Sequence, residues 1–295
     1  MRVSEMGRLY AHQSYIANVQ ERMDRIQQQM ATGRRIERAS DDPAGASLAL
    51  QHRKNLAYET QMRRNIEGGI AFMNVSEAAL SGVTDSLQRV RELTVQASND
   101  SLGATERQSI AQEVNQLITH IAQAANTRFG DAYVFSGHQT QTPAYQVVGN
   151  PPTAVTYQGD LGLRERRISY QDQTAINAIG SQVFGTLFDD LITLRDNLNA
   201  GATGSVITTS LGALDTAMDN VMASRADLGA RINRFESSRA TSEQADVNLQ
   251  ELKRDIEEVD LASAIVQLTG QQTALEAAMG AIGRSTNLTL LNFLR

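Results

Sequence analysis

The sequence contains no cysteine and no tryptophan, only four prolines, and 5% aromatic residues. The missing cysteines exclude disulfide scaffolds, cysteine-ligated zinc and thiol nucleophiles together. They leave the compartment open, since cytosolic and secreted proteins alike can lack them. The four prolines, Pro43, Pro143, Pro151 and Pro152, leave residues 44–142 and 153–295 free of the strongest helix breaker. No apolar run is long enough to span a bilayer. The opening Met1-Arg2-Val3-Ser4-Glu5-Met6-Gly7-Arg8 lacks the apolar stretch of a cleaved secretory signal. Any export is therefore expected to use another route.

Patterns that carry chemistry are also missing. His12, His52, His120 and His138 share no short metal-ligand spacing, and no His-Glu-x-x-His occurs. Gly68-Gly69 and the run Gly201 to Gly204 lack the lysine and strand context of a phosphate loop. The adjacent carboxylates Asp41 and Asp42 suit a helix cap better than acid–base work. No catalytic, cofactor or metal site is expected, and the chain does not read as an enzyme.

What the chain has is length, charge asymmetry and periodicity. With 295 residues, 41% hydrophobic and 20% charged, it can bury the core of one or two soluble domains. The net charge of −6 argues against general nucleic-acid binding. Residues 1–64 hold eleven basic and seven acidic side chains, so this segment is +4 and the remainder −10. Seven acids lie between Glu243 and Asp260 against Lys253 and Arg254. The two ends either attract each other or present solvated faces.

Apolar residues recur at helical spacing nearly everywhere. Ile16, Val19, Met23, Ile26 and Met30 alternate three and four apart near the N-terminus. Leu261, Ile265, Leu268, Leu275, Met279 and Ile282 do so near the C-terminus, with Gln272 in one slot. Such seams require partner helices, from the same chain or from copies of it.

Ser40-Asp41-Asp42-Pro43 reads as a helix start, with Asp42 as cap and Pro43 in the first helical position. It marks either an ordinary start or a joint between two helical segments. Met73, Leu80, Val83, Leu87, Val90 and Ala97 form the stripe of the following rod, about 80 Å long if continuous to residue 98. Gly68-Gly69 and Gly82 weaken this rod locally.

After a break from Asn99 to Gly103, Thr105 with Gln108 offers a capping box. Ile110, Val114, Leu117, Ile121 and Phe129 mark the face of the next helix. Short β-like runs follow at Tyr133-Val134-Phe135, Tyr145 to Val148, Val155-Thr156-Tyr157 and Arg167 to Tyr170, with turn clusters between them. Helical spacing resumes at Phe184, Leu187, Leu191, Leu194 and Leu198. A second long rod then carries Leu211, Leu214, Met218, Val221, Leu228, Ile232 and Phe235, with Arg225 in an inward slot.

Two long heptad rods around an insertion must fold back on each other. The expected fold is mainly α, a long antiparallel helical hairpin or coiled-coil bundle. Its terminal helices lie at one end and a small β insertion at the other. The expected divisions are residues 1–42 with 251–295 as a terminal coiled-coil domain, 43–130 with 174–250 as a helical rod, and 131–173 as a β-rich tip.

Three strings go further than periodicity. Gln29-Met30-Ala31-Thr32-Gly33-Arg34-Arg35-Ile36 runs into Ala39-Ser40-Asp41-Asp42-Pro43-Ala44-Gly45, and this resembles the signature of the flagellin superfamily. The run from Leu87 through Arg89, Arg91 and Glu92 to Ala97 resembles that family's first long helix. The run from Asp260 through Gln271-Gln272-Thr273-Ala274-Leu275 to Leu290-Leu291-Asn292-Phe293-Leu294 resembles its terminal helix. Within the superfamily, Met1-Arg2-Val3-Ser4, Tyr133-Val134-Phe135-Ser136-Gly137, Thr142-Pro143-Ala144-Tyr145 and Tyr157-Gln158-Gly159-Asp160 are similar to the hook–filament junction branch. Filament subunits more often carry Phe-Asn-Gly where this chain has Phe129-Gly130-Asp131.

The resemblance implies a structural adaptor of the bacterial flagellum, extracellular at the hook–filament junction and exported without a cleaved signal. Its implied partners are further copies of itself in a ring, the neighbouring hook-associated junction protein, flagellin, and a cytoplasmic export chaperone on the C-terminal helix. Neither nucleic acid nor membrane is implied. The assembly residues expected are the eleven terminal seam residues above, with Asp41, Asp42 and Pro43 at the joint. A short filament-forming flagellin is the alternative reading.

Overall fold

A computed structural model of the chain describes the backbone of residues 2–99 and 101–293. The side chains of residues 1–6, 8–9, 100 and 284–295 lie outside that description, and with them those of the string Leu290 to Leu294. The elements in chain order are α1 (Arg2–Thr32), α2 (Pro43–Ala97), α3 (Ala104–Ala125), β1 (Arg128–Phe129), β2 (Ala132–Tyr133), β3 (Tyr145–Val148) and β4 (Ala154–Tyr157). Then come β5 (Glu165–Arg167), β6 (Gln173–Ala175), α4 (Gly180–Phe184), α5 (Leu187–Asn199), α6 (Gly204–Glu257) and α7 (Leu261–Phe293). The fold is mainly α, with three small antiparallel strand pairs, β1–β2, β3–β4 and β5–β6, among the described residues.

The chain divides into two compact units, Met1–Tyr58 with Ala245–Arg295, and Glu59–Gln244. The second unit holds the contiguous hydrophobic core, which runs from Ile66 to Phe235. On α2 the expected stripe of Met73, Leu80, Val83, Leu87, Val90 and Ala97 is fully buried. On α6 a buried residue recurs every seventh position, at Ile207, Leu214, Val221, Leu228, Phe235 and Ser242, with Ala217 and Glu257 buried besides. That repeat keeps one seam facing its partner along the whole helix.

Cross-helix pairs give the direction. Glu59 accepts from Ser242 Oγ at 2.6 Å, Glu77 pairs with Arg225 at 2.7 Å, and Arg91 with Asp215 at 2.8 Å. One residue number rises while the other falls, so α2 and α6 are antiparallel. Arg225 occupies its inward slot by pairing with Glu77 and donating to Thr84 Oγ1 at 3.2 Å.

Four local expectations are corrected. The capping box at Thr105 does not form: Gly103 precedes α3 with no side-chain cap, and Thr105 lies inside the helix. Glu106 folds back over Gly103 instead, where a β-carbon would stand 2.5 Å from its carboxylate. That places negative charge at the positive end of α3.

Phe129 is not on α3, which ends at Ala125. Asn126 ends the helix by pairing with the Tyr145 backbone, donating to its carbonyl and accepting from its N–H, both at 2.8 Å. Phe129 lies in β1, edge-on to Phe72 at 5.8 Å.

The run from Phe184 to Leu198 is broken, because Gly185 at φ 45° separates α4 from α5. The break lets Phe184 and Phe188 converge on Tyr145, with ring centroids 5.5 and 4.9 Å away.

Of the β-like runs, Val134 and Phe135 leave the ladder to be buried. Only Arg167 of the run Arg167 to Tyr170 is strand, since the Ile168 and Ser169 N–H groups turn to the Asp172 carbonyl.

Arginines from the helices hold the strand pairs down. Arg195 is buried and donates to the Pro152 carbonyl of the β3–β4 turn and to Asn115 Oδ1 at 3.3 Å. Arg231 donates to the Ala175 and Asn177 carbonyls at 3.2 and 3.1 Å, and Arg234 pairs with Asp172 at 2.6 Å. Burial and the nearby Asp160 push the Tyr157 hydroxyl up to about 12, so it serves as a neutral donor. It donates to the Asp160 and Phe135 carbonyls at 2.8 and 3.1 Å.

Candidate assembly interface

Unit 1 is built from the terminal helices, which pack on each other. On α1, Val19 and Ile26 are buried, while Ile16, Met23 and Met30 are half-buried. On α7 the inward positions are Ala264, which is buried, and Leu268, Gln271, Leu275, Ala278 and Ile282, which are half-buried. The inward face is thus rotated from the stripe read by hydrophobicity alone. Small side chains at 264 and 278 let the helices approach, and larger ones at 261, 265 and 279 are turned outward. Leu261 is 52% exposed, Ile265 50%, Val266 70% and Met279 56%. With Tyr10 and Tyr15 on α1, they leave apolar surface uncovered within the chain.

The helices meet at a crossing of two connections. Gly33 ends α1 at φ 68°, the left-handed turn that glycine tolerates. The Val259 N–H then donates to the Gly33 carbonyl at 3.1 Å, and the Arg35 N–H to the Glu257 carbonyl at 2.7 Å. These bonds flank an antiparallel bridge between Arg34 and Glu258. The last turn of α1 and the first turn of α7 leave from one place, so the two packed helices are antiparallel.

Side chains close the crossing. The Arg35 guanidinium donates to the Ile256 carbonyl from Nη2 at 2.9 Å and from Nε at 3.3 Å, and it pairs with Asp42 at 3.3 Å. It thereby places positive charge on the carbonyl end of α6. Glu257 is buried and pairs with Arg53 of α2 at 2.7 Å, with Lys253 at 4.0 Å.

The Asp42 carboxylate accepts from the Gly45 N–H at 2.9 Å, the capping bond read from sequence, and Pro43 opens α2. Asp41 caps the preceding turn, accepting from the Arg38 and Glu37 N–H groups at 2.8 and 3.2 Å. A β-carbon at Gly45 would stand 2.5 Å from Asp42 Oδ2 and 2.6 Å from Ile36 Cδ1.

The Gly45 N–H, with Arg35 beside it, holds the Asp42 carboxyl below its ordinary value of 3.8. Its contribution is complete above that ordinary value and is lost as pH falls through the lowered one. Acid exchange measurements should therefore show the Gly45 and Ala46 amides losing protection below about pH 4. In Asp42→Asn that acid-dependent loss should be much reduced.

Sequence reasoning passed over Arg35, Arg53 and Glu257. Arg35 stands only within a family string, and Glu257 lies in the acidic run for which attraction to the basic N-terminal segment and solvation are both open; its pairing with Arg53 is an instance of the attraction. The available signal was Gly33 together with the break in periodicity at Val259-Asp260. Among the described residues, no group of three or more His, Cys, Asp or Glu side chains is placed to hold a metal ion, and no helix is long and apolar enough to cross a membrane.

A chain of this build falls among the long-helix structural proteins that close their two termini on each other. It belongs to the bacterial flagellin family, whose N-terminal helical region matches residues 3–140 and whose C-terminal helical region matches residues 211–294. It is 26% identical over 293 residues to the flagellar filament 33 kDa core protein of Treponema phagedenis, covering 98% of each chain. It is also 26% identical over 302 residues to flagellar hook-associated protein 3 of Escherichia coli K12, covering 93% of this chain and 94% of that one.

Solved structures share the fold. A putative flagellar hook-associated protein from Vibrio parahaemolyticus superposes with a TM-score of 0.69 at 19% identity, over 74% of this chain and all of that one. The flagellar junction protein of Legionella pneumophila gives 0.60 at 18% identity, over 73% of this chain and all of that one. The chain is accordingly a structural component of the flagellum.

Proposed function

We propose that this chain is the adaptor between the hook-associated rings and the flagellin filament, assembled through its terminal helices. One observation carries the choice of the junction over the filament. The strings Tyr133 to Gly137 and Tyr157 to Asp160, which resemble the junction branch, lock onto each other. Tyr157 donates to the Phe135 carbonyl, the Asp160 carboxylate accepts from the His138 N–H at 2.7 Å, and Gly137 leaves room for Asp160. The junction and hook-associated proteins that share the fold support the same reading.

In this proposal residues 1–42 and 251–295 form the assembly domain, 43–130 with 174–250 the rod, and 131–173 the tip. The outward residues Leu261, Ile265 and Met279 meet neighbouring subunits, while Ile16, Val19, Met23, Ile26, Met30, Leu268, Leu275 and Ile282 close the chain's own pair. Asp41, Asp42 and Pro43 set the joint. The partners are copies of itself in a ring, the adjacent hook-associated protein on one side and flagellin on the other. An export chaperone covers the C-terminal helix before secretion, which uses no cleaved signal.

Tagged protein on isolated flagella should appear as a single band at the hook–filament boundary. Label along the whole filament would instead support a short filament flagellin.

A further inference from the structure

The crossing does more than join connections, because it changes the cost of pairing the termini. Between Gly33 and Asp260 the chain runs through the whole of the second unit. Closing α1 on α7 across so long a segment carries a loop-closure entropy, and a two-helix pair also carries a nucleation cost. At the crossing the two backbones already lie within hydrogen-bond distance, at 2.7 and 3.1 Å. Arg35 ties this place to the end of α6 and the cap of α2, and buried Glu257 ties it to Arg53.

We propose that this crossing is a nucleation clamp: Arg35 and Glu257 hold the first turns of the terminal seam together, so that pairing starts there and proceeds toward the chain ends. Ile26 on α1 and Ala264 on α7 are the buried seam residues nearest the clamp. Val19 and then Ile16 follow on α1, as Leu268 and Leu275 follow on α7. Arg35 and Glu257 are positioning residues here, acting on the seam without belonging to it. The inference concerns the free subunit and holds for a junction or a filament position. Its failure is therefore distinguishable from a failure of the proposed location.

Hydrogen exchange on the full-length chain tests it. Amide protection should fall along α1 from Ile26 toward Tyr10, and along α7 from Leu268 toward Met279. Arg35→Ala should speed exchange in both helices by on the order of tenfold to a hundredfold, the value of a lost charged hydrogen-bond group. Protection of α3 and α5 should stay unchanged, which separates loss of the clamp from failure to fold. The Arg34–Glu258 bridge is a non-hydrogen-bonded antiparallel pair, a geometry that a disulfide spans. Because the chain has no cysteine, Arg34→Cys with Glu258→Cys introduces the sole thiols. In the Arg35→Ala background the oxidised pair should restore protection, and reduction should remove it again. Unchanged exchange in Arg35→Ala, protection greatest far from the crossing, or an oxidised link that restores nothing would each overturn the clamp.

Discussion

A chain lacking residues 262–295 is expected to keep its second unit folded and to lose all entry into the flagellar tip. Among the described residues, the buried core from Ile66 to Phe235 is made of side chains of the second unit. Deletion of α7 should therefore leave the far-ultraviolet signal of α3, α5 and most of α2 and α6 in place, with an unchanged cooperative transition for that unit. What disappears is the inward seam of Ala264, Leu268, Leu275 and Ile282, and with it the cover over Val19 and Ile26. Truncating a fully buried aliphatic side chain costs about 2–5 kcal/mol and a half-buried one less, but removing the whole strip at once leaves α1 without a partner. Complementation of a strain lacking the protein, scored by tip labelling and motility, measures the outcome. If the truncated chain still labelled hook tips, the terminal helices would not be the assembly element.

The long helices were legible because their signals are redundant. Pro43 with Asp42 marks the start of α2, a heptad stripe runs through it, and the cap and the buried stripe agree with both. The same redundancy made α6 readable, since a buried residue every seventh position survives one inward arginine. Short elements carried no such repetition. Val134 and Phe135 have the β-branched and aromatic character of a strand but are drawn inward, with Phe135 5.5 Å from Phe184.

The terminal interface was half legible, for a physical reason. Hydrophobicity ranks Leu261, Ile265 and Met279 above Ala264 and Ala278, whereas close helix packing favours the small side chains. Only the ends of the connections, at Gly33 and Val259-Asp260, were legible at the crossing, because the partners that close it lie far apart in the chain, 221 residues for Arg35 with Ile256 and 204 for Arg53 with Glu257. Spacing within one segment carries no information about such a pair.

The adjacent glycines of α2 also changed meaning, and they support the second prediction. Read locally, Gly68 and Gly69 both weaken the rod. In the fold they differ: a β-carbon on Gly68 would meet nothing within 4 Å, whereas one on Gly69 would stand 2.4 Å from Phe235 Cε1 and 3.3 Å from Ile176 Cγ2. Gly69 leaves the space that the fully buried Phe235 ring of α6 fills. Phe235→Ala should therefore lower the stability of the second unit by about 3–5 kcal/mol through the cavity it leaves. Denaturant unfolding would read this as a lower midpoint at unchanged slope. Gly69→Ala should also destabilise, by about 1–3 kcal/mol, because the ring is overpacked. Combined with Phe235→Leu it should cost less than the sum of the two single changes. Gly68→Ala runs the other way and should stabilise by up to about 1 kcal/mol, since an exposed helical glycine is replaced without contact. Equal effects at positions 68 and 69 would show that helix propensity, rather than the fit of Phe235 against α2, sets the strength of the rod.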